Sequence, residues 1–188
     1  MGVNIAVFAS GGGSDMQAII NACEAGQLNA QVCVVISNKK NATALERAKN
    51  HGIPAFSINH ANAEKILATL QAHDTQLIFL AGYLRLLPEN VLSAYENNIL
   101  NIHPSMLPKY GGRGMYGINV HTAVLAAGET ETGITIHRVN QEYDKGEIIA
   151  QRRVPVKPGD TPETLAARVL QEEHIFIVQT LAEFLPRG

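Results

Sequence analysis

The chain of 188 residues carries 15 Lys and Arg against 17 Asp and Glu, a formal net charge of −2. Hydrophobic residues at 46% supply a sizeable core and exclude a disordered chain, which needs low hydrophobicity and high net charge. No basic field is available for a polyanion, so nucleic acid is not an expected partner.

Short β-branched runs alternate with helical patterns. Residues 3–9 read as a strand, followed by a glycine-rich turn and a helix over 14–25. The unit repeats as strand 31–37 with helix 43–50, strand 53–58 with helix 62–73, and strand 76–81 with a helix opening near Pro88. Residues 98–103 make a fifth strand. This spacing predicts a parallel sheet with right-handed crossovers and helices on both faces. The pattern then changes to a glycine-rich loop over 111–117 and a helix over 120–127. Residues 132–139 alternate, with Ile134 and Ile136 on one face and Thr135, His137 and Val139 on the other. A turn at Tyr143-Asp144-Lys145-Gly146 leads into a strand over 147–156, so the last two strands should pair as a hairpin. The final helix starts at Thr161-Pro162, an N-cap followed by a proline, with Leu165, Val169, Ile177 and Leu181 near helical spacing. One α/β domain over 1–188 is expected: Rossmann-like, three-layered, with a mostly parallel sheet and a C-terminal antiparallel hairpin.

The longest strictly apolar runs are about five residues, against roughly 20 for a membrane span. The N-terminus lacks the basic and apolar regions of a signal peptide, and Ala6 stands where N-myristoylation wants Ser or Thr. Cys23 and Cys33 have no ligand spacing and read as small core fillers in a reducing compartment. A cytoplasmic protein with no membrane partner is expected.

Three stretches carry chemistry. In Ser10-Gly11-Gly12-Gly13-Ser14-Asp15, a strand-to-helix turn aims backbone N–H groups at one point, as a phosphate cradle does. Met16 replaces the third glycine of a dinucleotide fingerprint, Asn38 replaces its ribose-binding acid, and no GxxxxGK[ST] occurs. The loop reads as a single-phosphate cradle or as a tight turn that needs glycine only for its backbone. In Asn101-Ile102-His103-Pro104-Ser105, Asn101 and His103 project to one side of an extended chain, and Pro104 holds His103 extended. An amide beside an imidazole suits a tetrahedral acyl-transfer intermediate, the amide for the oxyanion and the imidazolium for charge or a proton. Such a pair is also an ordinary strand end. Asp144 would favour the imidazolium and raise the pKa of His103, provided that the hairpin folds back over the strand ends; otherwise it is turn chemistry. His51, His60, His73, His121 and His174 show no metal-ligand spacing, and no covalent nucleophile signature occurs.

Jointly, SGGGSDMQAII, SNK, LAGYLRLLP, NIHPSMLPKY, ETGITIHRVNQEYDKGEII and the EEH of the final helix resemble the phosphoribosylglycinamide formyltransferase family, a folate-dependent formyltransferase fold. The resemblance implies formyl transfer from 10-formyltetrahydrofolate, a co-substrate, to the amine of glycinamide ribonucleotide in purine synthesis, with no metal. It implies Asn101, His103 and Asp144 as the catalytic trio, with Thr135 and His137 in support. Gly13, Ser14 and Asp15 match the ribonucleotide phosphate loop, and Glu173 a ribose contact. Leu84, Arg85, Leu86 and Leu87, with Asn101 and Asn140, Gln141, Glu142, Tyr143 and Asp144, match the folate pocket. The chain departs from the family at Asp15, where Asn is usual, at Leu170, often polar, in a short 58–62 segment, and in an apparent insertion over 111–119. That insertion reads as a flexible lid or as an inert loop. Rival readings are a formyltetrahydrofolate hydrolase, which carries an extra N-terminal domain whereas strand one here begins at Val3, and a methionyl-tRNA formyltransferase, which adds a C-terminal RNA-binding domain. A non-catalytic binder of phosphorylated metabolites is the third. The oligomer expected is a monomer or a homodimer.

Overall fold

Ile5 and Val7 of β1 (Val3–Phe8) pack into one apolar cluster and Ala6 and Phe8 into another, because successive side chains of a strand leave on opposite faces. Burial on both faces is the condition of a parallel strand covered by two helical layers. The computed structural model describes residues 2–186. After β1 come α1 (Ser14–Glu24), β2 (Ala30–Ser37), α2 (Thr43–Asn50), β3 (Ala55–Ser57), α3 (Ala63–Ala72), β4 (Leu77–Leu80), α4 (Glu89–Ala94) and β5 (Ile99–His103). The chain continues through α5 (Ile118–Ala126), β6 (Glu131–Arg138), β7 (Ile148–Pro155) and α6 (Pro162–Phe184).

The sheet has the order β3-β2-β1-β4-β5-β6-β7. Strands β1 to β5 pair in parallel, and β6 and β7 join antiparallel, as the alternation and the hairpin turn predict. Side chains of α1, α2 and α6 share the cluster of Ile5 and Val7, and those of α3 and α4 share that of Ala6 and Phe8. From β1 the chain winds to one side for β2 and β3, then crosses to the other for β4. Such a reversal opens a crevice at the carboxyl ends of the strands.

Most element boundaries shift by one or two residues from the sequence reading. Strand β3 keeps only three residues, since Pro54 has no N–H for the ladder and offers only its carbonyl to the Val35 N–H. Helix α4 begins at Glu89, with Pro88 as its extended cap rather than its first residue. Helix α5 starts at Ile118, two residues earlier than the apolar pattern suggests. The Thr161 side chain caps α6, and Thr164 returns a bond to the Thr161 N–H. Leu165, Val169, Ile177 and Leu181 are fully buried, each worth about 1.5–3 kcal/mol of transfer free energy. Among the described residues, no helix is long and apolar enough to cross a membrane.

Candidate active site

Strands β5 and β6 pair with Asn101 opposite His137 and His103 opposite Thr135. Residues directly opposite in an antiparallel pair share a face, so one register puts all four side chains together. Thr135, fully buried, donates to the Ser105 carbonyl at 2.7 Å. Its hydroxyl accepts from the Leu107 N–H at 3.1 Å and the Gln151 amide at 2.9 Å. One donor and two acceptors exhaust a hydroxyl, and Thr135 thereby fastens the chain after β5 over the sheet.

That segment ends on Tyr110, whose φ of 55° is left-handed, a region costly for a bulky residue. The Tyr110 hydroxyl donates to Glu129 at 2.9 Å, and its carbonyl lies 2.8 Å from His103 Nε2. A carbonyl only accepts, so Nε2 carries hydrogen and Nδ1 faces Asp144 Oδ2, 3.6 Å away. Asp144 also stands 3.5 Å from Asn101 Nδ2 and 3.4 Å from His137 Nε2, and accepts from the Gly112 N–H at 2.9 Å. Asn101 Nδ2 lies 3.0 Å from His137 Nε2, and His137 Nδ1 donates to the Arg138 carbonyl at 2.7 Å. The structure therefore brings Asn101, His103, Thr135, His137 and Asp144 into one group.

Glycines make the approach possible. A Cβ at Gly146 would land on the Arg138 carbonyl oxygen. One at Gly111 would sit 2.5 Å from Leu107 Cδ2 and 3.3 Å from the Asp144 Cβ. Burial pushes the Asp144 carboxyl up, but the contact with His137, the His103 charge and the Gly112 N–H outweigh it and hold it below its ordinary value. His103 corrects a sequence expectation. Asp144 does act to raise its pKa, but burial at 4% exposure acts more strongly, and the imidazole stays below the ordinary value.

The group opens into a cleft of about 540 Å³, within the usual size of small-molecule sites. Asp15 and Glu173 also line it, whereas Gly13 and Ser14 do not. Gly13 caps α1 at a φ of 73°, and a Cβ there would stand 2.7 Å from the Ala44 Cβ. Ser10 ties three strand ends, donating to Asn38 at 2.6 Å and accepting from the Leu84 N–H at 3.0 Å. Burial pushes the Asp15 carboxyl up to about 6, and burial together with the Asp15 charge lifts Glu173 well above the carboxylate range.

Leu84, Arg85, Leu86, Leu87, Glu142 and Tyr143 line the same cleft. Asn140 and Gln141 do not line it: Asn140 accepts from the Glu142 N–H, and Gln141 reaches Glu89. Residues 112–117, within the apparent insertion, form part of the wall. Sequence reasoning missed Lys39 and Arg113 as lining cations, and Tyr110 as the partner of His103. A lone surface cation and a backbone carbonyl give no sequence pattern to find.

Known proteins share this arrangement of strands. The chain is 44% identical to the chloroplastic phosphoribosylglycinamide formyltransferase of Vigna unguiculata, over 95% of its own length and 61% of that protein's. It is 38% identical to the phosphoribosylglycinamide formyltransferase of Escherichia coli, over 92% of this chain and 82% of that one. The solved glycinamide ribonucleotide transformylase 1 from Geobacillus kaustophilus superposes with a TM-score of 0.91 at 38% identity, covering 99% of this chain and 100% of the other. The chain thus spans less than two thirds of the plant protein's length. The formyl transferase family description matches residues 3–181, from the first strand to the last helix, and this chain belongs to that family.

Proposed function

We propose that the chain transfers the formyl group of 10-formyltetrahydrofolate to the amine of glycinamide ribonucleotide, giving formylglycinamide ribonucleotide and tetrahydrofolate in purine synthesis. The observation that carries this reading is the meeting of Asn101, His103 and Asp144 on the wall of one cleft that Asp15 and Glu173 also line. The relatives named for this reaction support it.

The residues fit both substrates. Leu84, Leu86, Leu87 and Val139 give an apolar wall for a flat ring, and Lys39, Arg85 and Arg113 bring positive charge for phosphate or carboxylate. As the amine bonds to the formyl carbon, negative charge grows on the formyl oxygen. Asn101 supplies an amide donor for that charge. A proton gained at His103 Nδ1 is stabilised by Asp144, and the resulting imidazolium offsets the oxyanion. Collapse breaks the bond to the folate nitrogen. The proton that the amine loses balances the one that this nitrogen gains, and the His103–Asp144 pair is placed to hold it in between. The reaction is assigned to the cytoplasm, by a monomer or homodimer, without nucleic acid or membrane.

Mixing both substrates with the protein should yield formylated product. His103→Ala and Asp144→Asn should each lower turnover by about 10²–10⁴-fold. Turnover like that of the unaltered chain in either variant would overturn the roles assigned. Formate released without the amine would identify a hydrolase, and ligand binding without turnover a binding protein.

A further inference from the structure

Asp15 is the second residue of α1, in the turn expected to take a phosphate. An acid there ordinarily faces the helix N–H groups and caps them. Asp15 does not. The N-cap of α1 is Gly13, which has no side chain, and among the described residues Asp15 Oδ1 is sealed from solvent without a hydrogen-bond partner. Across the contact with α6, His174 Nε2 is equally sealed and unpartnered, 3.5 Å from Asp15 Oδ1. Glu173, beside His174, is buried and lines the same cleft as Asp15.

The charged groups around this corner do not neutralise it. Lys39 after β2, Arg85 after β4 and Arg113 before α5 line the cleft, and Arg47 of α2 donates to the Gly12 carbonyl. Among the described residues, none of these cations forms an ion pair with Asp15 or Glu173; the contact of Asp15 is His174. Two orphaned atoms facing each other are satisfied together by one proton, carried by the carboxyl or by the imidazole.

We propose that the Asp15–His174 pair holds a proton that governs affinity for the phosphorylated substrate: the chain binds a phosphomonoester with proton uptake, and the deprotonated pair repels it. The inference rests on the ribonucleotide reading above and deepens it. With the Asp15 carboxyl lifted to about 6 by burial, the acid is neutral below that pH and adds negative charge beside the phosphate above it. By linkage, a bound anion raises the proton affinity of Asp15, and its own affinity falls by up to about tenfold per pH unit while one proton is taken up.

The test measures KM for glycinamide ribonucleotide from pH 6 to 8.5 in the unaltered chain, Asp15→Asn and His174→Gln. The phosphate itself loses a proton near ~6, equally in all three, so differences between profiles isolate the pair. In the unaltered chain KM should rise about fivefold or more between pH 6.5 and 8, the slope set by one linked proton. Asp15→Asn should change less than about twofold over that range and bind more tightly at pH 8. His174→Gln, whose amide donates to the ionised carboxylate, should move the rise to lower pH, the opposite direction. Calorimetry with ribose 5-phosphate in buffers of different ionisation enthalpy should find proton uptake at pH 7.5 beyond that of Asp15→Asn. Parallel KM profiles in all three proteins, or equal uptake with and without Asp15, would overturn the proposal while leaving formyl transfer intact. Absence of transfer in the unaltered chain would instead sink the parent reading, and the calorimetry still decides this one. Should Asp15→Asn fail to fold, His174→Gln decides alone.

Discussion

Asp15→Asn should make the folded chain more stable at pH 8 than the unaltered protein, with a smaller gain at pH 5. The Asp15 side chain is 14% exposed, so solvent screens it little. Burial lifts its carboxyl from 3.8 to about 6. An unfolded chain releases this proton near 3.8, whereas the folded chain keeps it to about 6. Stability present below 3.8 is therefore lost as pH rises through about 6. At about 1.4 kcal/mol per pKa unit, the ionised carboxylate costs on the order of 3 kcal/mol at pH 8, and about half of that at pH 5. Asparagine does not titrate, and its amide can donate to the His174 Nε2 that now has no partner. Burial lowers the His174 pKa, which weakens the fold as pH falls below 6.5; comparing the two proteins at equal pH removes most of that effect. Denaturant titration at pH 5 and pH 8 measures the difference directly, with the slope m unchanged. In a thermal scan, about 3 kcal/mol corresponds to a rise of about 6–12 °C for a domain of this size. A variant less stable at pH 8, or a gain equal at both pH values, would refute the account of a buried charge.

Gly146→Ala puts a methyl on the Arg138 carbonyl oxygen; it should cost about 1–3 kcal/mol and lower turnover by displacing Asp144, both read from denaturation and formyl-transfer assays. Asp160 accepts from both Arg168 Nη atoms at 2.6 Å and from the Lys157 N–H at 2.7 Å, and Arg168 above all holds its carboxyl below the ordinary value. That stability is present above 3.8 and is lost as pH falls through the depressed value, so Asp160→Asn should be less stable at pH 7, with the gap closing on acidification in a denaturation series.

The parallel half of the sheet was legible because each strand is a short apolar run followed by a helical pattern. The hairpin was legible because β6 alternates. Asn101 and His103 could be paired from a spacing of two, whereas their register against His137 and Thr135 shows only in the folded sheet, because the long connection between β5 and β6 leaves it open. Glu173 also left a trace: Leu165, Val169, Ile177 and Leu181 recur every four residues, and Glu173 stands at the one step of that buried stripe that is not apolar. The pairing of Asp15 with His174 left none, since it joins the first helix to the last and no local pattern reports a contact between distant helices. The net direction at His103 was equally hidden. Sequence names its charged neighbour, but burial, the larger influence, exists only in the folded chain.

The position of Asp144 depends on the sheet changing direction at β5. Strand β6 runs back along β5, so the β6–β7 turn leaves beside the start of β5, with Arg138 opposite Leu100. A straight hairpin would carry Asp144 away from His103. Two local features turn it back. Between Ile136 and His137 the pairing with β7 slips, so that Ile136 faces Ala150, His137 faces Ile148, and Ile149 is the extra residue of a bulge. Bulges bend a strand and re-aim side chains, and this one falls at His137. Asp144 then takes a left-handed φ of 55°, and Gly146 passes against the Arg138 carbonyl where no side chain fits. A β7 parallel to β6 would need a crossover of roughly a dozen residues or more, with no tight turn to present an acid. The antiparallel β5–β6 pair thus supplies His137 opposite Asn101, and the β6–β7 hairpin supplies the short turn that sets Asp144 against two imidazoles.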